Sequence, residues 1–359
     1  MRVFAGMDPR LRLAEVAAHV RRVEAMGYDG IHVAETIHDA LAVALLAVEH
    51  SEAMVVRTSV ALAFPRSPTL TAYAAWDLAQ LSGGRFELGL GTQIRQNIED
   101  RYGIAWSDPV AWMSEYLDAL DELFEAFRTG GVPHADGPRY RISRLQPYFN
   151  PGPDEATAAP PLWLGGVNPG ICRLAGSRAA GFVTHPTNSS PRYLEAVCLP
   201  NLATGAAGRG RDPRAVELVV GTPVITGRSR AELDAAREHQ RRMFAFLYST
   251  PAYRVALDLH GWGDLTERLQ AMIRAGRWDD LGPLVTDEVL DALVPCAPYA
   301  ELAAELVRRF GHLADGVVLN PPADPGADAA VAEVVAALQQ TPSRRRLEGG
   351  TAPPSPTPI

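Results

Sequence analysis

Residues 81–103 read LSGGRFELGLGTQIRQNIEDRYG. Phe86–Leu90 is a short apolar run between Ser82-Gly83-Gly84 and Gly91, the pattern of a strand covered on both faces. Gly89-Leu90-Gly91 matches two thirds of a dinucleotide fingerprint. The third glycine, which lets the next helix pack against the strand and hold a pyrophosphate, is replaced by Ile94. The turn therefore reads as the C-terminal end of a strand whose glycines admit a flat ligand close to the backbone, not as a phosphate loop.

Working outward, the same unit recurs along the chain. Strands are expected at Val3–Gly6, Ile31–Ala34, Arg57–Leu62, Phe86–Leu90, Leu162–Gly165, Phe182–Thr184, Glu217–Ile225 and Gly316–Leu319. Helical spacing lies between them. Leu13, Val16, Ala17, Val20, Val23 and Ala25 line one face, and Gly27 stops that helix. Ala72–Leu81 and Tyr116–Phe127 repeat the pattern. Eight strands alternating with helices predict an α/β (β/α)8 TIM barrel, with an open doubly wound sheet as the competing topology. A single domain is expected over residues 1–340, with insertions at about 131–160 and 229–312 at the C-terminal ends of the strands. The second holds the helical patterns Glu232–Leu247 and Tyr299–Phe310. The stretch 341–359, TPSRRRLEGGTAPPSPTPI, has no apolar periodicity and is expected to be a disordered tail.

The composition narrows the chemistry. A net charge of −8 argues against nucleic-acid binding, which needs a basic face. All 34 basic residues are arginine, so neither a P-loop lysine nor lysine Schiff-base chemistry is possible. Anions must be held by guanidinium forks, hydroxyls or backbone N–H groups. Cys172, Cys198 and Cys296 are too dispersed for a zinc motif, and the nine histidines show no metal-binding spacing, so no metal is expected. No apolar run reaches the roughly 20 residues of a membrane span, and MRVFAGMDPR lacks a signal-peptide layout, so a cytoplasmic protein is expected.

The segment VAETIHDAL, residues 33–41, ends the second strand and gathers Glu35, Thr36, His38 and Asp39. A histidine beside a carboxylate is held in one tautomer and serves as an acid or base near neutral pH. His38 is the candidate acid/base with Glu35 or Asp39 as its partner. The alternative is that Asp39 caps the next helix and His38 is a loop residue. Trp76, Trp106, Trp112 and Trp163 are read as core residues with a possible role in lining a pocket.

Three blocks carry a family resemblance: GYDGIHVAET, then RTSVALAFPRSPTLTAYAAWDLAQLSGGRFELGLGTQ, then PPLWLGGVNPGICRLAGSRAAGFVTHP. Their order and spacing, from about Arg2 to Leu338, resemble the bacterial luciferase-like superfamily, and within it the branch that uses the deazaflavin coenzyme F420. The resemblance implies a barrel that binds a flavin or deazaflavin at the C-terminal ends of its strands. It makes Thr92, Gln93 and Asn97 candidates for hydrogen bonds to the polar edge of the ring, ordinary turn and cap residues being the alternative, and it places Thr36 among the cofactor-binding residues. It implies a non-prolyl cis peptide at Ser59–Val60 behind the ring. The turn LGGVNPG, with Gly165, Gly166, Val167 and Asn168 leading into a helix near Pro169, would receive the phosphate end, and His185 could join it. The sugar-phosphate dehydrogenases of the superfamily carry histidine where this chain has Thr36 and glutamate where it has Ile94, so their substrate and acid/base pair do not transfer.

The expected activity is hydride transfer between F420 and a small organic substrate in a homodimer. The alternatives are an FMN-dependent monooxygenase, a non-catalytic deazaflavin-binding protein, and a metal-dependent barrel hydrolase.

Overall fold

The computed structural model describes residues 1–154 and 156–347. Among these, eight parallel strands close a barrel: β1 (Arg2–Gly6), β2 (Gly30–Val33), β3 (Val55–Thr58), β4 (Phe86–Gly91), β5 (Leu162–Gly166), β6 (Gly181–Thr184), β7 (Glu217–Val220) and β8 (Gly316–Val318). Each pairs with its sequence neighbour, and β1 pairs with β8 to complete the ring. The outer ring comprises α1 (Val16–Ala25), α2 (Ala40–Glu49), α3 (Pro68–Ser82), α4 (Pro109–Thr129), α5 (Pro169–Arg178), α6 (Leu199–Ala207), α7 (Tyr299–Phe310) and α8 (Asp328–Gln339). The expected TIM barrel is thus the observed fold.

The barrel forms because each strand is apolar on both sides. Val3, Ala5, Ile31, Val33, Leu88, Leu90, Leu218 and Val220 face the helices in one continuous core. The alternate residues Phe4, Trp163, Val183 and Val219 meet inside the barrel. The parallel register, read with the one-residue stagger per strand of a tilted barrel, sorts the interior into layers of four side chains from alternate strands. One layer holds Phe4, Arg57, Trp163 and Val219, and the next holds His32, Gly89, Val183 and Val318. The Arg57 guanidinium is fully buried between the Phe4 and Trp163 rings, 4.5 and 3.2 Å from their centroids. It pairs with Glu87 and lies 2.9 Å from His32 Nε2. These two layers plug the barrel.

Several expected boundaries move. The run Arg57–Leu62 is broken after Thr58, and Ala61–Leu62 resumes the pairing with β4 beyond the bend. The Glu217–Ile225 strand stops at Val220, because Gly221-Thr222-Pro223 turns the chain out of the sheet. Ile225 instead makes a parallel bridge to Cys296. The insertion expected at 229–312 is shorter than its estimate, since Tyr299–Phe310 is ring helix α7 and packs along α8. The remainder has its own apolar core of Phe244, Tyr248, Leu257, Leu269, Val285 and Leu290. Within 131–160, Ala135–Asp136 and Arg141–Ile142 form the expected small hairpin.

Residues 341–347 differ from the disordered tail expected to begin there. Arg344–Leu347 is a helical turn, and Arg344 bonds the buried Asp315 carboxylate at 3.1 Å and the Val216 carbonyl at 2.8 Å. The rest of that stretch, 348–359, lies outside the described residues. Cys172 and Cys198 are buried free thiols, and Cys296 is half-buried. Trp76, Trp112 and Trp163 are buried in the core as expected.

Candidate active site at the barrel mouth

Above the two plugging layers the interior empties. The third layer consists of Gly6, Ser59, Gly165 and Gly221, and the fourth of Ala34, Gly91, His185 and Asn320. Six of these eight positions carry a hydrogen, a methyl or a hydroxymethyl group, so the C-terminal end of the barrel opens as a bowl. At two glycines the space already has an occupant. A Cβ on Gly91 would sit 2.4 Å from Val60 Cγ2, and one on Gly165 would sit 2.7 Å from Val60 Cγ1. The Val60 side chain therefore projects into the bowl between β4 and β5. The Ser59–Val60 peptide is cis, as expected at this position. Gly89 serves the wall instead: a Cβ there would lie 1.9 Å from the Thr58 carbonyl, while the Thr58 hydroxyl bonds both the Gly89 N–H and C=O.

Thr36, Ser59, Gln93 and Gly166 end or follow β2, β3, β4 and β5, four consecutive strands of one parallel sheet. They stand on a single rim. Beyond β4, Gln93 is the one non-glycine residue among those described with a positive φ, 62°, in the region where side chains are disfavoured. Its Oε1 accepts the Ile94 N–H at 2.9 Å, and the Thr92 hydroxyl bonds the Gln93 carbonyl. Asn97 opens a π-helical turn, Asn97–Arg101, a local form that recurs at functional sites. Arg101 reaches back to the Thr36 carbonyl at 3.0 Å.

After β5 the chain enters α5 with Pro169 at its first position. Asn168 is the cap residue, yet its side chain makes no capping bond. The first-turn N–H groups of α5 are thus left for another acceptor. Tyr193 Oη donates to the Val167 carbonyl at 2.8 Å and fixes this turn.

The expected partnership of His38 with a carboxylate is not what forms. Asp39 caps α2, accepting the Leu41 and Ala42 N–H groups. Glu35 accepts the Leu62 N–H at 2.7 Å, and Arg66 bridges the two carboxylates at 2.6 Å to Glu35 and 2.5 Å to Asp39. A guanidinium that gives one nitrogen to each carboxylate outcompetes a neutral imidazole for these anions, a partner the local sequence did not reveal because Arg66 is about 30 residues away. Burial works against the Asp39 carboxylate, but the Arg66 bond and the helix N–H groups hold its pKa below the usual range. His38 instead turns into a small recess with Met7, Leu11, Val33 and Thr36, where its Nε2 meets the Leu11 carbonyl at 3.1 Å. That acceptor assigns the proton to Nε2 and leaves Nδ1 with a lone pair.

His185 ends β6. Its Nδ1 accepts the Thr187 N–H at 3.3 Å and lies 2.8 Å from Thr187 Oγ1. Its ring stacks on Tyr253 of the insertion, with centroids 4.4 Å apart and planes at 14°. Burial depresses its pKa to about 4. Asn320 was not anticipated: a Cβ on Gly6 would lie 2.3 Å from its Oδ1, which places the amide inside the bowl. Only the inward alternation of β8, continued two residues past Val318, could have found it. A separate groove of about 500 Å³ lies on the outer wall between α7 and α8, lined by Ala300, Ala303, Ala330 and Val334, and has none of this chemistry. No cluster of metal-ligating side chains occurs among the described residues, and none of their helices is long and apolar enough to cross a membrane.

The family model for luciferase-like monooxygenases matches residues 1–316. The chain belongs to the luciferase-like monooxygenase family. Members of this family are oxidoreductases. An uncharacterised protein of Mycobacterium tuberculosis is 37% identical over 307 residues, covering 86% of this chain and 90% of the relative. The 5,10-methylenetetrahydromethanopterin reductase of Archaeoglobus fulgidus is 25% identical over 290 residues, covering 79% and 82%. Among solved structures, the coenzyme F420-dependent tetrahydromethanopterin reductase of Methanopyrus kandleri superposes with a TM-score of 0.72 at 17% identity, over 95% of this chain and 98% of that one.

Proposed function

We propose that this luciferase-like protein is a coenzyme F420-dependent oxidoreductase acting on a small organic substrate. The observation that carries the reading is the bowl itself, whose glycines at 91 and 165 make room for the Val60 side chain as its bed. A planar tricyclic ring fits such a bed. Ser59 and Val60 would support it from below, while Thr36, Thr92, Gln93 and Asn97 would meet its polar edge from the rim. Gly165, Gly166, Val167 and Asn168 would receive the phosphate at the uncapped start of α5, a backbone device suited to a chain without lysine. The deazaflavin, when bound, supplies or accepts the hydride.

The protein's share is orientation and one proton. His38 is the proposed acid/base, its Nε2 held by the Leu11 carbonyl rather than its ring by Glu35 or Asp39. Those two carboxylates act through Arg66 as a brace that ties the β2 and β3 ends together. The reductase name of the Archaeoglobus relative favours hydride transfer over oxygenation.

Separate fluorescence titrations with F420, FMN and NADPH test the reading. Tight binding of F420 with turnover supports it. Tight binding of FMN alone replaces it with the monooxygenase. Binding of F420 with no turnover across a substrate panel makes the protein a carrier.

A further inference from the structure

The bowl has two unlike halves. From β2 to β5 its lining is glycine, alanine, Ser59 and Val60. From β6 to β8 two longer side chains reach in from alternate strands of the same layer, His185 and Asn320. Gly221, just past β7, stands between them one layer lower; a Cβ there would meet the Thr184 carbonyl at 2.4 Å.

We infer that His185 and Asn320 are a neutral hydrogen-bonding pair that holds the oxygen of an uncharged carbonyl or hydroxyl substrate. The inference rests on the bowl being the site of the proposed oxidoreductase and assigns its substrate class. It also moves His185 from the phosphate end of the cofactor to the substrate side.

Three observations combine. First, the Thr187 N–H occupies Nδ1 of His185, so Nε2 carries the proton, and no protein acceptor meets Nε2 among the described residues. Stacking on Tyr253 fixes the ring plane, and Tyr248 Oη bonds the Thr187 carbonyl at 2.7 Å, so the insertion holds the whole turn. Second, the Asn320 amide forms no hydrogen bond within the described residues, although Gly6 leaves it room to lie in the mouth. Two strand spacings separate the pair, roughly 10 Å between backbones, so their polar ends approach one small group. Third, neither group carries charge. The imidazole is enclosed enough to stay neutral, and Arg254, which follows Tyr253, is already committed to Asp258 and Glu267. A phosphate or carboxylate placed here would gain no counter-charge from either group, whereas a ketone or alcohol needs only such donors. A neutral imidazole that polarises a carbonyl is an established enzymatic device.

The test uses the full-length protein with ¹⁵N-labelled histidine and the variants His185→Gln and Asn320→Ala, the latter an exposed position that folding tolerates. Cyclohexanone and cyclohexanol are titrated against cyclohexanecarboxylate in the presence of F420. The His185 Nε2 resonance should move with the two neutral probes, which should bind at least 10-fold tighter than the carboxylate. Each variant should weaken the neutral probes about 10-fold while the F420 dissociation constant stays within 2-fold. Tighter binding of the carboxylate overturns the inference. So does a variant that weakens F420 and spares the probes, which would return His185 to the cofactor. If the wild type does not bind F420 yet the ketone still moves His185, the proposed cofactor fails and the pair stands. If F420 binds and neither neutral probe moves His185, the pair fails alone.

Discussion

At the scale of single residues, the glycines of β4 separate wall from site. Gly89→Ala forces a methyl against the Thr58 backbone carbonyl, which cannot yield without opening the β3–β4 pairing. A loss of about 3 kcal/mol in urea unfolding is expected. Gly91→Ala meets the Val60 side chain, Cγ2 at 2.4 Å and Cβ at 3.3 Å, rather than backbone, so unfolding should lose about 1–2 kcal/mol, less than for Gly89→Ala, while F420 affinity falls about 10-fold. His38→Ala should lower kcat about 100-fold with cofactor affinity nearly intact, and a parallel loss of both would mean a structural role. His185 and His32 add a pH term, since burial lowers both pKa values, His185 to about 4 and His32 well below its ordinary value. Folded, they stay neutral; unfolded, they take up protons below about pH 6.5. Their contribution is therefore complete above pH 6.5 and is lost as pH falls, for His185 by on the order of 3 kcal/mol down to pH 4. Urea midpoints at pH 4.5, 5.5 and 7 should rise in that order, with a shallower rise in His185→Gln.

At the scale of elements, the brace of Glu35, Arg66 and Asp39 ties the start of α2 to the segment after β3. Arg66→Met strands Glu35, which is only 10% exposed, against the Leu62 N–H alone. A destabilisation of about 2 kcal/mol is expected, below the full cost of breaking a buried pair because Asp39 is half in solvent. The α2 cap should survive, since the backbone bonds of Asp39 do not involve Arg66. This brace also marks where sequence reading stopped. Strands, helices and the turn glycines were legible because each depends on residues within a few positions, as in Phe86–Gly91 or Pro169–Arg178. The cis bend at Ser59–Val60 was legible only through the family resemblance. The partners of Glu35, Asp39 and His38 depend on what the closed barrel brings together, and Asn320 becomes visible only once the inward parity of β8 is known.

For the molecule as a whole, the barrel has a chemical end and a structural end. The lower end is fastened by charge: Arg344 and Arg345 reach Asp315, and Arg345 with Arg2 reaches Glu217. Arg344→Ala leaves Asp315, 1% exposed, with half of its compensation, and should cost about 3 kcal/mol. F420 affinity should not change, because the mouth lies at the opposite end of the strands; thermal unfolding and fluorescence titration on one sample separate the two effects.

The segment after β7 leaves and re-enters the barrel at one point, where the Ile225 N–H bonds the Pro295 carbonyl and the Ala297 N–H bonds the Ile225 carbonyl. Because this doorway is already closed, residues 226–294 sit like a cassette on a socket, tied to the barrel also through Tyr248 and Tyr253, and changes of length away from those contacts leave the eight strands in place. Substitutions around Tyr248 and Tyr253 can thus change what enters the mouth while the packed layers of the barrel beneath stay as they are.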